Sequence, residues 1–288
     1  MKRSSFGLLL ALPSIAFLFV IMLYPLLYSL FFLSLYSLNI LNPEASVSFV
    51  GLENYSTILR DVGFSRSLVT TSTFTIAVVS VEFLLGLSLS LALNQELRGK
   101  NAFRVLVLFP VMIAPVAVGI VWRWMFVDQY GIINFVLENL GINGPLWLSD
   151  PSVALLSVML VDIWQNTPFM ALILLAGLQA IPRDLYEAVN MDGASRWQST
   201  RYVTLPMLRS AILIALIIRT IDAFTVFDTI YVLTGGGPGG ATGVLSIFIY
   251  KMAFYSIRIE PATAGSWIMV LMMLALSLIY AYSTRSKL

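Results

Sequence analysis

Cysteine and histidine are both missing from the 288 residues, and lysine is confined to Lys2, Lys100, Lys251 and Lys287. Without Cys and His there is no zinc site of that kind, no thiol chemistry and no imidazole base for a nucleophilic triad. The lysines fall in flanks and loops, so a buried Ser–Lys pair is not expected. Charge is scarce as well. Charged residues make up 11% of the chain, where a soluble globular chain carries roughly a quarter. These absences argue against an enzyme and against a soluble domain. An Asp dyad is the one catalytic device left, and the deep acids fit no protease pattern. The formal charge of +2 says little about partners, and no nucleic acid is expected.

What is present is apolar surface in long blocks: 59% hydrophobic residues and a mean hydropathy of +0.89. Six spans can be read, at about 7–33, 67–93, 103–127, 152–178, 207–233 and 262–283. Each exceeds the roughly 20 residues that cross a bilayer as a helix. The expectation is an all-α membrane protein forming a single transmembrane domain over 1–288. The first span follows Lys2-Arg3, lacks a small-residue cleavage site and is too long for a signal-peptide core, so it is expected to be retained. Pro13 and Pro25 inside it are kink sites.

Lys and Arg set the orientation. With the N-terminus inside, eleven basic residues fall on the inner side: Lys2, Arg3, Arg98, Lys100, Arg104, Arg183, Arg196, Arg201, Arg209, Arg285 and Lys287. Only Arg60, Arg66, Lys251 and Arg258 fall in the outer loops, about 34–66, 128–151 and 234–261. The positive-inside rule therefore predicts both termini in the cytoplasm. The inner turn 94–101 reads as an ordinary solvated turn.

The inner segment 181–206 differs. Pro182 suits a helix start, and Asp184 and Glu187 follow where the helix dipole favours anions. Gly193 suits a helix end, Ser195 can cap a second helix, and Leu205-Pro206 is expected to stop it. Leu185, Ala188 and Val189 form one apolar face, with Trp197 available to another. Such a pair needs a protein partner, or else it lies on lipid headgroups.

Glu187-Ala188-Val189, three residues, Gly193, nine residues, Val203, one residue and Leu205-Pro206 resembles the EAA loop of binding-protein-dependent ABC importer permeases. Val189 and Val203 are mild apolar departures from that pattern. The glycine-rich run Gly235–Gly240, in the stretch 230–242, resembles the outer loop of the sugar-importing branch. Arg219–Phe224 looks closest to trehalose- and maltose-type permeases. The resemblance implies a type I ABC importer permease fold in a bacterial or archaeal cytoplasmic membrane. It implies alternating access driven by two separate ATP-binding cassette subunits, a second six-span permease completing the pore, and an extracytoplasmic sugar-binding protein. Glu187, Ala188, Asp192, Gly193, Leu205 and Pro206 would carry the coupling to the ATPases. No cofactor is expected in this chain, since ATP and Mg would be bound by the partner ATPase. Ala241 stands where a phosphate-loop Lys would be needed, and no strand precedes the run. That loop is left as a linker or as a contact for the binding protein.

Glu82, Arg123, Asp162, Arg219, Asp222 and Asp228 fall within spans. Each costs about 2.5–3.5 kcal/mol at a helix centre and should face a partner or a cavity. Asp162, Gln165, Asn166 and Phe169, at offsets of three, four and seven, share one helix face near mid-membrane. Carboxylate, amides and an aromatic ring are what a sugar site uses. Arg219 and Asp222 complete the expected substrate path, with an internal Arg219–Asp222 pair as the alternative. Glu82 is expected to pack against a polar neighbour. Two deep acids and one Arg suit a neutral sugar better than glycerol phosphate. An ATP-independent secondary transporter is the alternative of another class.

Overall fold

The computed structural model describes residues 3–37, 47–95 and 99–285. Lys2, Arg98 and Lys287, which entered the charge count, lie outside them. Five helices are long and apolar enough to cross a bilayer: Ala11–Leu33, Val62–Leu93, Pro151–Gln179, Arg209–Leu233 and Ile259–Tyr280. The predicted span 103–127 is broken into two helices, Phe103–Met112 and Pro115–Met125, bent by 97°. Proline accounts for the break. Pro115 has no N–H to donate and pushes Ala114 out of the helical region, to ψ 134°, and Ile113 is extended as well. Among the described residues, the one exception to an all-helical chain is a two-residue antiparallel pairing of Tyr36–Ser37 with Ser48–Phe49.

The chain divides into two compact units, Met1–Arg66 with Phe248–Met272 and Ser67–Ile247 with Met273–Leu288. In the first, Tyr24, Tyr28, Phe32 and Tyr36 recur every four residues and stack at centroid separations of 6.2, 5.2 and 4.6 Å. Pro25 is accommodated by a wide π-turn over Phe19–Leu23, in which Tyr24 N–H bonds the Phe19 carbonyl five residues back. The widened turn moves the preceding carbonyls clear of the ring. The Asn54 amide donates to the carbonyls of Ser34 (3.0 Å) and Tyr36 (3.1 Å), fixing the chain as it leaves the helix.

The second unit is built on Pro151–Gln179, whose most apolar stretch is 61% buried, against 33% for Val62–Leu93. The Asp150 carboxylate caps it, accepting from the Ser152 hydroxyl (2.7 Å) and N–H (2.8 Å). Those two bonds, the hydroxyl's above all, hold the Asp150 carboxyl below its usual range. Val158, Val161, Met170 and Leu174 meet Phe74 and Val78 of Val62–Leu93, Val118 of Pro115–Met125, and Ala215, Ala223 and Ile230 from the 209–233 stretch. Pro115–Met125 and Asp228–Leu233 come unusually close at Gly119, where an added Cβ would lie 2.9 Å from Val232. The glycine-rich stretch is closed on itself. Thr234 and Thr242 hydroxyls are 2.6 Å apart, and Thr242 donates to the Gly237 carbonyl at 2.7 Å.

Candidate functional site

Two interrupted helices face the same stretch of Pro151–Gln179. One break is at Ile113-Ala114; the other, at Thr225–Phe227, separates Arg209–Phe224 from Asp228–Leu233. Between them lies a polar cleft of about 170 Å³. Pro115, Asp162, Gln165 and Asn166 line it, with Asp222, Thr225, Phe227, Asp228 and Thr229 opposite. Gln165 Nε2 donates to the Ile113 carbonyl at 3.1 Å, a group left without a helical partner by the break. Asn166 Nδ2 donates to Asp162 Oδ1 at 3.1 Å and to its carbonyl at 3.2 Å. Phe169 does not line the cleft. The aromatic ring there is Phe227, stacked on Tyr231 at 5.1 Å. Hydropathy could not single out Phe227, because its position depends on the break that precedes Asp228.

Beneath the cleft Arg219 is fully buried, at 1% exposure. Its Nε donates to Glu82 Oε2 at 2.7 Å and its Nη2 to Glu82 Oε1 at 2.8 Å, a two-pronged pairing. Nη2 also reaches Asp162 Oδ2 at 2.7 Å, and Nη1 reaches the Asp222 carboxylate. One guanidinium therefore ties Val62–Leu93, Pro151–Gln179 and Arg209–Phe224 together. It does not line the cleft itself. Asp162 lines the cleft with a side chain only 5% exposed, whereas the Asp222 side chain remains 64% exposed. Glu82 is the residue the sequence left without a named partner. The signal available was its cost: a lone acid in a 32-residue apolar helix has to find a cation.

The segment 181–206 folds as two helical pieces around a tight turn. Arg183–Met191 ends with Gly193 at φ +73°. Gly193 N–H bonds the Asn190 carbonyl (3.1 Å) and Ala194 N–H bonds that of Val189 (3.2 Å). This double closure requires a left-handed residue after the helix, which glycine adopts without a Cβ clash. Ser195 then opens Arg196–Ser199 through a reciprocal cap with Gln198. Leu205-Pro206 does not stop this helix. A π-turn over Thr200–Thr204 lets Leu205 N–H bond the Thr200 carbonyl, and Pro206 enters a further helical turn, Leu205–Met207. It is the device seen at Pro25. Tyr186 and Thr204 hydroxyls, 3.2 Å apart, hold the two pieces together. Glu187, Ala188, Asp192, Gly193 and Pro206 are exposed, and Leu205 is half-buried. Exposed apolar side chains surround them: Met191 (88%), Tyr202 (69%) and Trp197 (68%).

Long apolar helices, a polar cleft where two of them break and a capped helix pair rich in exposed apolar groups define a multi-pass membrane permease. Comparison with known proteins gives its family. The chain belongs to the binding-protein-dependent transport system inner membrane components, whose family model matches residues 83–286. It is 40% identical over 282 residues to the trehalose/maltose transport system permease protein MalF of Thermococcus litoralis, covering 97% of this chain and 93% of that one. It is 37% identical over 266 residues to the trehalose transport system permease protein SugA of Mycobacterium tuberculosis, covering 92% and 84%. Among solved structures, a bacterial ABC transporter involved in the import of the acidic polysaccharide alginate superposes with a TM-score of 0.87. That likeness, at 23% identity over 99% of this chain and 97% of the other, speaks to the fold.

Proposed function

We propose that this chain is the membrane-spanning subunit of an ATP-driven importer for an uncharged sugar of the trehalose or maltose kind. A second permease completes the pore, two separate ATP-binding subunits hydrolyse ATP, and an extracytoplasmic binding protein delivers the sugar. Counting the bent pair as one gives six spans, and the distribution of Lys and Arg favours both termini in the cytoplasm.

The observation that carries the substrate class is the cleft. Asp162, Asp222, Gln165 and Asn166 offer acceptors and amide donors for hydroxyls, and Phe227 offers a ring for the apolar face of a pyranose. No lysine or arginine lines it among the described residues, which disfavours a phosphate ester. The relatives named for trehalose and maltose point the same way. For coupling, the support is the helix pair closed by Gly193: Glu187 and Asp192 offer polar contacts, and Trp197 and Met191 an apolar one, to an ATPase surface.

The test is uptake of radiolabelled trehalose and maltose into proteoliposomes containing the whole importer and its binding protein. ATP-dependent uptake is expected, reduced at least tenfold by Asp162→Ala or Asp222→Ala. Normal transport by both variants would remove the cleft from the substrate path. Uptake by this chain alone, driven by an ion gradient, would replace the proposal with a secondary transporter.

A further inference from the structure

A guanidinium next to a sugar site raises a question of charge. Arginine presents two donors side by side, a geometry matched to carboxylates and phosphates, and a free fork beside the cleft would attract acidic sugars. Here the fork is filled from within. Glu82 occupies the edge formed by Nε and Nη2, at 2.7 and 2.8 Å, and is itself fully buried. The remaining donors turn to Asp162 and Asp222, both of which line the cleft. Three carboxylates surround one cation, so the formal charge of the group is −2. Asp228 adds a further acid to the lining.

We infer that Glu82 is a positioning residue that sets charge selectivity. By filling the fork of Arg219 it keeps the cleft free of an anion-binding cation, so uncharged sugars are admitted and sugars bearing carboxylate or phosphate are rejected. The inference rests on the cleft being the sugar site. Its carriers are all internal to the chain: Glu82 on Val62–Leu93 acts through Arg219 on Arg209–Phe224. Losing the Glu82 charge while keeping Arg219 moves the group from −2 to −1 and leaves the Nε–Nη2 edge without its carboxylate. Losing both charges restores −2 and removes the fork.

The experiment measures binding of radiolabelled trehalose to the assembled importer without its binding protein, which would otherwise filter the ligands. Unlabelled trehalose and trehalose 6-phosphate compete. In the unaltered protein trehalose displaces the label, and trehalose 6-phosphate does so only at far higher concentration. In Glu82→Gln the ratio of the two inhibition constants is expected to shift about tenfold or more towards the phosphate, the scale of one unit charge a few ångströms away in a partly screened site. In Glu82→Gln combined with Arg219→Gln the ratio returns to its starting value. Glu82→Asp keeps the charge but withdraws it from the fork by one methylene, so it shifts the ratio in the same direction by a smaller factor. It also serves if Glu82→Gln does not assemble. A purely structural role would weaken both ligands by one common factor, and that result overturns the inference. So does a double variant that keeps the gained phosphate affinity. Trehalose binding unchanged in Asp162→Asn and Asp222→Asn overturns the cleft itself, and this inference with it. An unshifted ratio in the Glu82 variants, with those two impaired, overturns this inference alone.

Discussion

Arg219 is expensive to bury and more expensive to remove. Its partners Glu82 and Asp162 are both enclosed, so Arg219→Ala strands two carboxylates in a low-dielectric interior. Breaking a buried ion group by deleting one side costs about 3–5 kcal/mol. Asp222, which is mostly exposed, can rehydrate when freed. Thermal unfolding of the detergent-purified protein should therefore show Arg219→Ala far less stable than Asp222→Ala, and equal midpoints would contradict the geometry. The same residues mark where sequence reading stops. Helical periodicity brought Asp162, Gln165 and Asn166 onto one face, and an offset of three paired Arg219 with Asp222. It could not join Arg219 to Glu82, 137 residues away, because no local rule encodes which face of one span meets which face of another. The same periodicity adds Phe169 to that face, yet the ring at the cleft, Phe227, comes from a non-helical turn.

Proline and glycine do most of the shaping at the level of elements. Hydropathy found the apolar stretches, but it sees neither hydrogen-bond register nor bends. Hydropathy therefore reads 103–127 as a span without its bend, and the Leu205-Pro206 pair reads as a stop where the helix in fact continues. Where a π-turn precedes the proline the helix carries on; where extended residues precede it the helix folds back. The turn at Gly193 was legible because its conformation is local. A Cβ added there meets nothing within 4 Å, so its strain is that of a positive φ. Gly193→Leu should cost about 1–2 kcal/mol in the turn and leave membrane insertion intact. In the reconstituted importer ATP hydrolysis is expected to continue while sugar uptake falls; normal uptake at normal hydrolysis would free the turn of any coupling role. Gly119→Leu is a different kind of change. It drives a side chain into Val232 beside the cleft, an overpacking of about 1–3 kcal/mol measurable as a lowered unfolding midpoint.

A chain without cysteine suits a topology experiment at the scale of the whole molecule, because each introduced thiol reports alone. Asn143→Cys, exposed in the segment before Pro151–Gln179, should react with a membrane-impermeant maleimide added to intact cells. Ala180→Cys, exposed just beyond that helix, should react only after permeabilisation. The reverse pattern would invert the orientation read from Lys and Arg. Partner chains enter a sequence reading only through resemblance; what the chain itself shows is apolar surface left bare, at Trp197 and Met191. One such surface has a mechanical consequence. Because Pro206 does not end the helix, backbone of helical conformation runs from Arg196 to Asp222 with a single turn residue, Leu208, along the way. At 1.5 Å per residue this is about 40 Å of contour without a loop. Under the proposed coupling, a push at Trp197 would meet no loop before the arginine clamp and the rim of the cleft. The helical run that an ATPase would grip under that proposal also carries Asp222, the carboxylate proposed to touch the cargo.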